Sequence, residues 1–191
     1  MLWAMDTIQK SPYVTEVDWI PSQPVPFTHQ HHVSGLGIDC RYCHTSVEKS
    51  RFAGVPPTST CMNCHSQIWS DAPMLEPVRE SARTGKPIEW VRVNDLPDFV
   101  YFNHSTHVAK GVGCTTCHGP VGKMPLTWKG NTLYMGWCLD CHRHPEPYLR
   151  KDKSEVYNPF WTPPSDQKAV GASFKSDRNI QVNIHCSTCH R

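Results

Sequence analysis

The sequence predicts a mostly irregular fold in which short α-helices surround an interior that apolar side chains do not fill by themselves. The 191 residues include 17 prolines, which interrupt regular structure. Hydrophobic residues make up 38% of the chain and show little helical or strand periodicity. The ten cysteines recur in one repeated pattern, which indicates that bound groups take the place of an ordinary core.

Every cysteine belongs to a C-x-x-C-H motif. Two thiols three residues apart on one helical turn can reach the two vinyl groups of one porphyrin, and the next histidine can ligate its iron. The sequence therefore predicts five covalently bound haem c groups and a multihaem cytochrome c fold around them. The predicted attachment residues are Cys40 and Cys43, Cys61 and Cys64, Cys114 and Cys117, Cys138 and Cys141, and Cys186 and Cys189. The predicted proximal ligands are His44, His65, His118, His142 and His190.

Zinc and disulfides are the alternatives for such cysteines. Two C-x-x-C pairs make one tetrahedral zinc site, so five pairs would leave one pair over. With 12 histidines in 191 residues, chance would place one after all five pairs less than about once in a million. A disulfide framework has no use for these histidines. Haem attachment is the interpretation that uses every residue of the pattern.

A repeat upstream of the motifs predicts distal ligands. Residues 27–44 and 102–118 both read F-x-H-x-x-H-V, then a short turn containing glycine, then C-x-x-C-H. The repeated histidines are His29 and His32 in the first copy, and His104 and His107 in the second. Histidines three apart lie on nearly the same helix face, so each pair can bridge two neighbouring haems.

Four distal histidines leave one iron without a sixth ligand. We favour Met135, which stands beside a glycine in LYMGWC, because a thioether ligates haem iron. The alternatives are Met124, three other histidines and an open iron. Those histidines are His31, His144 and His185.

The motifs divide the chain into four predicted parts. Residues 1–26 form an amino-terminal segment, and 27–101 form a first two-haem unit with a connecting arm. Residues 102–144 form a second two-haem unit. Residues 145–191 form a proline-rich arm, predicted to be extended, that ends in the fifth haem.

The half-unit VYFNHSTHVAKGVGCTTCHGPV resembles the small multihaem cytochromes of the c3 and c7 type. That resemblance implies that the first histidine of each pair ligates the haem of the following motif, and that the second reaches another haem. His104 would then serve the haem on Cys114 and Cys117, and His29 the haem on Cys40 and Cys43.

Over about residues 11–191, the chain is similar to the pentahaem cytochrome subunit of bacterial alternative complex III. The stretches that carry this resemblance are HHVSGLGIDCRYCHTSVEKS, AGVPPTSTCMNCH, LPDFVYFNHSTH, MGWCLDCHRHPE and CSTCHR. The resemblance implies a membrane-bound quinol-oxidising complex. In it, the chain would take electrons from an iron–sulfur subunit and pass them to a monohaem cytochrome, a soluble carrier or a terminal oxidase. It implies electron transfer without catalysis by this chain.

Location is predicted from the attachment chemistry and the first residues. Covalent haem attachment takes place on the outer side of the bacterial inner membrane, so we expect the periplasmic face. Leu2, Trp3, Ala4 and Met5 are typical of the last turn of a membrane anchor, with a frayed terminus as the alternative. A formal net charge of +2 gives no reason to expect nucleic acid as a partner.

Two other functions compete with a bound electron relay. A multihaem reductase would need an iron with an open position, whereas this chain has histidines to spare. A soluble periplasmic electron shuttle fits the c3-like half-unit but does not account for the long segments between motifs. We therefore expect an electron-transfer subunit.

Overall fold

The computed structural model describes residues 2–190, and within them the regular structure consists of short helices joined by turns and extended segments. These residues contain no multi-residue strand, only isolated bridges that pair Val17 with Lys129, Val100 with His190, and Val112 with Leu149. The fold class predicted from the sequence is confirmed.

The α-helices are α1 (Leu2–Lys10), α2 (Pro12–Thr15), α3 (Cys40–Cys43), α4 (Thr58–His65), α5 (Glu76–Thr84), α6 (His104–Ala109), α7 (Cys114–His118), α8 (Met135–Arg143), α9 (Lys153–Tyr157), α10 (Gln167–Asp177) and α11 (Cys186–Cys189). A π-helix covers Gln30–Gly35, and 3-10 turns cover Pro73–Leu75, Val121–Lys123 and Glu146–Tyr148.

Each C-x-x-C-H motif lies on a short helix of its own: α3, α4, α7, α8 and α11. One turn is enough to place two cysteines three positions apart on the same side. Asp39 caps α3, because its side chain accepts a hydrogen bond from the amide of Arg41. In all five helices the motif histidine lies at the carboxyl end. It is the last helical residue in α4 and α7, the next to last in α8, and the residue just after the end in α3 and α11.

The apolar core is divided into three small clusters, each with three buried residues. They are Val25, Leu75 and Val78; Val47, Val156 and Tyr157; and Leu149, Phe174 and Ile180. Cysteines of the attachment motifs border two of these clusters. The second cluster touches both Cys40 and Cys114, which belong to different predicted two-haem units. The small side-chain core agrees with an interior that bound groups complete.

The amino-terminal segment forms α1 and α2 and places Trp3 in a largely exposed position. Within residues 2–190, no helix has both the length and the apolar character needed to cross a membrane. Met1, which also falls in the predicted segment 1–26, lies outside the described residues.

The segment that follows residue 144 is less extended than predicted. It contains α9 and α10, separated by a stretch with the prolines of residues 159–164. A capping box between Asp152 and Glu155 starts α9. No proline occurs between Pro164 and the last motif, so α10 can form there and pack Phe174 against Leu149. The final residue, Arg191, lies outside the described residues.

Candidate haem-attachment sites

Three of the predicted proximal histidines are held by backbone carbonyls. In each, the ring Nδ1 lies within hydrogen-bond distance of a carbonyl oxygen, which can only accept, so Nδ1 carries the proton. That tautomer leaves Nε2 free with a lone pair for a metal, and the hydrogen bond fixes the ring's orientation. The pairs are His44 with Gly54 (2.7 Å), His65 with Ile68 (3.0 Å) and His142 with Asn183 (2.8 Å).

All four predicted distal histidines are held in the same way. Three donate from Nδ1 to a carbonyl, and His29 bonds through Nδ1 to the hydroxyl of Thr127 at 3.0 Å. The three carbonyl pairs are His32 with Thr28 (2.9 Å), His104 with Arg51 (2.8 Å) and His107 with Asn103 (2.8 Å). The four rings selected by the repeat are therefore oriented as metal ligands are.

The three leftover histidines differ from these. Among the described residues, the rings of His31, His144 and His185 have no hydrogen-bonding partner. The ring of His31 stacks on Trp69, with centroids 5.8 Å apart. Within residues 2–190 the rings of His118 and His190 likewise have no hydrogen-bonding partner. A ring hydrogen bond therefore supports the four distal assignments but does not identify every candidate ligand.

The structure brings a distal and a proximal ring close together in three pairs. The centroids are 6.3 Å apart for His104 and His118, 6.1 Å for His107 and His142, and 6.2 Å for His32 and His65. Two nitrogens about 2 Å on either side of one metal ion are compatible with such separations. In the second copy of the repeat, His104 thus lies next to the histidine of the third motif, and His107 lies next to the histidine of the fourth.

His29 completes the pattern in the first copy. Burial is the main cause that lowers its pKa to about 4, and the nearby rings of His44, His118 and His32 contribute. Burial is likewise the main cause that lowers the pKa of His118 to about 4. Neutral imidazole is the form that binds a metal, so both rings are ready for ligation at physiological pH.

The two copies of the repeat match in detail. Phe27 packs edge-on against His29 at 4.9 Å and stacks on His32 at 4.6 Å. In the second copy, the phenylalanine meets its two histidines at 4.8 Å and 4.5 Å with nearly the same ring angles. The phenylalanine therefore spaces the two imidazoles of each pair.

The sixth ligand of the last motif stays a prediction. The ring next to His190 is that of Phe99, at 5.7 Å. Met135 is the first residue of α8 and largely exposed, whereas Met124 is fully buried beside the third motif. Met135 lies one helical turn before Cys138, whose thiol interacts with Cys189 of the last motif.

The thiols link the five motifs in a row. Each neighbouring pair of motifs interacts through its cysteines, either electrostatically or by direct hydrogen bonding. The interacting pairs are Cys61 with Cys43, Cys40 with Cys114, Cys117 with Cys141, and Cys138 with Cys189. The motifs therefore follow one another in the order second, first, third, fourth and fifth.

The contact between the first and third motifs is the tightest of these. The neighbouring thiols share a hydrogen bond that lowers the pKa of Cys40 and raises that of Cys114. The carbonyl of Tyr157 accepts from Cys40 at 3.6 Å, so the segment after residue 144 closes over this junction.

Some residues of the site were not found by sequence reasoning. The carbonyls that orient the histidines carry no residue-type signal, because any residue can supply them. Arg150, whose guanidinium bonds to Thr115 of the third motif at 2.6 Å, was also missed. It stands in a polar stretch, LRKDKSE, where nothing marks it as buried.

The donor set fits covalently bound haem. Short helices that present paired thiols, each followed by a histidine, with oriented imidazoles near several of these histidines, define a multihaem c-type cytochrome, a class of protein that transports electrons. The comparisons agree. The cytochrome c3 family model matches residues 106–191, slightly less than half of the chain.

A curated relative points the same way. The chain is 38% identical over 97 residues to the multihaem cytochrome c subunit of a menaquinone reductase from Nitratidesulfovibrio vulgaris strain Hildenborough. The aligned part covers 50% of this chain and 45% of that protein, so the chain spans less than half the length of the relative.

Proposed function

We propose that this chain carries five covalently attached haems and relays electrons along the row of its attachment motifs. The observation that carries the proposal is the proximity of cysteines in neighbouring motifs, which act on one another electrostatically from the second motif to the fifth, with Cys40 and Cys114 packed against one apolar cluster. When bound, haem supplies reversible one-electron chemistry at its iron.

The chain's own residues would hold each group at both faces. The paired cysteines would form the thioether links, and the motif histidines would be the proximal ligands. The proposed distal partners are His29 for His44, His32 for His65, His104 for His118, and His107 for His142. Met135 is the proposed partner of His190. Six-coordinate irons leave no position for a substrate, so we assign the chain no catalysis of its own.

We further propose that the chain works as a subunit of a quinone-linked membrane complex on the periplasmic face. The resemblance to the alternative complex III subunit and the similarity to a menaquinone reductase subunit support this setting. The proposed partners are iron–sulfur and membrane subunits on one side. On the other side we place a monohaem cytochrome, another soluble carrier or a terminal oxidase.

The two similarities differ in the direction of electron flow. The alternative complex III subunit implies oxidation of quinol, whereas the relative's name describes reduction of menaquinone. We favour quinol oxidation, because that resemblance extends over most of the chain and follows all five motifs in order.

Purification from membranes of the native host tests this proposal. A tagged chain should co-purify with an iron–sulfur protein and integral membrane subunits, and the complex should reduce its haems when a menaquinol analogue is added. Recovery only as a free periplasmic monomer would favour the soluble shuttle. Quinol oxidation by the isolated chain would contradict the assignment of a relay without catalysis.

A further inference from the structure

Arg150 is a buried cation at the centre of the row of motifs. It is 2% exposed and follows Leu149, which forms a bridge with Val112. Its amide donates to the carbonyl of Gly111 at 2.9 Å. Its guanidinium occupies the space where a side chain at Gly113 would be, because a Cβ there would lie 1.9 Å from Cζ. The cation therefore lies directly against the turn that leads into Cys114.

The side-chain partners of Arg150 are neutral. One Nη donates to the backbone carbonyls of Glu155, Val156 and Asn158, and the other donates to the hydroxyl of Thr115 at 2.6 Å. The indole ring of Trp161 lies 4.4 Å from Cζ. The Nε group is buried without a hydrogen-bonding partner. None of the ion pairs formed within residues 2–190 includes Arg150.

A buried charge without an ion-pair partner costs free energy. Burial disfavours the charged form of Arg150, and Glu155 is the carboxylate that acts on it electrostatically. A guanidinium nevertheless stays protonated in proteins, so the positive charge persists at this position. Its field is strong because the surroundings have a low dielectric constant.

We propose that Arg150 raises the reduction potential of the haem held by Cys114 and Cys117. Reduction removes one positive charge from the iron centre, so a buried cation nearby favours the reduced state. Thr115, which Arg150 contacts, lies between the two cysteines of that motif. This inference rests on the proposed haem attachment. The third motif lies in the middle of the row. With Arg150 present, the haem there would hold an electron more firmly than it would in a chain without Arg150.

Removing the charge tests the proposal. Arg150→Met should lower the equilibrium constant for reduction of one haem about tenfold. For one electron, this corresponds to a midpoint potential lower by about 59 mV. The measurement is a spectroelectrochemical titration of the full chain matured in its host. Thr115→Val is the matched control, because it removes the hydrogen bond and keeps the charge, and its potentials should stay within error of the unmodified chain.

Two further measurements make the result specific. Combination with His104→Ala, which should convert the third haem to high spin, shows whether the shifted potential belongs to that haem. Haem content, measured as the pyridine haemochrome, separates this proposal from the attachment itself. Fewer than five haems in the unmodified chain would overturn the proposed function, whereas five haems with unshifted potentials in Arg150→Met would overturn the role of Arg150.

Arg150→Lys covers the case in which the methionine variant fails to mature. A buried lysine loses its proton more readily than arginine, so the potential of the third haem should fall as pH rises through that lysine's pKa. Glu155 and Cys114 are the titratable groups that face this position, and Cys114 no longer ionises once it is attached. A pH profile identical to that of the unmodified chain would overturn the proposal.

Discussion

The imidazole rings of His104 and His118 lie parallel, at an angle of 2°, with their centroids 6.3 Å apart. His104 is oriented by the carbonyl of Arg51, which belongs to the first predicted two-haem unit. The amide of His104 also donates to Arg51, at 3.2 Å. The candidate ligands of the third motif are therefore positioned by both units, so the units are not independent modules that pack side by side.

The count of haems is the most direct prediction. Because ten cysteines are used by five motifs, intact mass of the chain matured in its own host should show five haems. No cysteine should react with iodoacetamide after denaturation. A mass with fewer haems, or one labelled cysteine, would contradict the attachment assignment.

A distal histidine can be separated from an ordinary one by substitution. His107→Ala should convert one low-spin haem to high spin and leave the haem count unchanged, because His107 faces His142 at 6.1 Å. His31→Ala is the matched control and should leave the absorption spectrum as it was, since His31 stacks on Trp69. An unaltered spectrum of His107→Ala, or a high-spin signal from His31→Ala, would refute the pairing.

The fifth distal ligand is predicted to be sulfur. A methionine ligand gives ferric haem a weak near-infrared band and raises its potential relative to histidine. The unmodified chain should show this band, and Met135→His should remove it. Survival of the band in that variant would transfer the role to Met124, and its absence from the unmodified chain would make the ligand a histidine.

Acid should release the candidate histidine ligands only at low pH. His29 and His118 have pKa values lowered to about 4, mainly by burial. The unfolded chain takes up protons near pH 6.5, so the free energy of unfolding should decrease as pH falls from 6.5 towards 4. The low-spin absorption spectrum should nevertheless persist at pH 5. High-spin haem that appears already near pH 6 would show that these imidazoles are not protected.

Two glycines offer a test of packing beside the third motif. A Cβ at Gly130 would lie 2.8 Å from both the Cα of Gly119 and the carbonyl of His118. Gly130→Ala should therefore destabilise the protein by about 1–3 kcal/mol. Gly136→Ala, where nothing lies within 4 Å of the new methyl group, should be neutral or stabilising by up to about 1 kcal/mol. Thermal unfolding compares the two, and equal melting temperatures would show that the contact at Gly130 yields easily.

The attachment motifs and the histidine repeat could be predicted from the sequence because their chemistry requires fixed spacing. The cysteines of one motif must share a helical turn, and the repeat places His104 ten residues before Cys114. The fold class follows from the same pattern, since five attachment turns leave room for short helices only.

The spatial order of the motifs could not be predicted, because it depends on contacts between distant residues. Cys40 meets Cys114 across more than seventy positions, and both pack against a cluster that includes Tyr157. The helices after residue 144 were also missed. For α10, stability comes from Phe174 on Leu149 and from the close approach of Gly171 to the backbone of Glu146, neither of which leaves a periodic pattern.

Because the apolar core is divided into three small clusters, we expect folding to depend on haem attachment. Before its prosthetic groups are attached, the chain would have only these small clusters to hold it together. Completion of the native state would then wait for the maturation machinery, and immature chains would be open to proteases. Limited proteolysis of chains made with and without that machinery would reveal the difference, with rapid cleavage expected only in the second case.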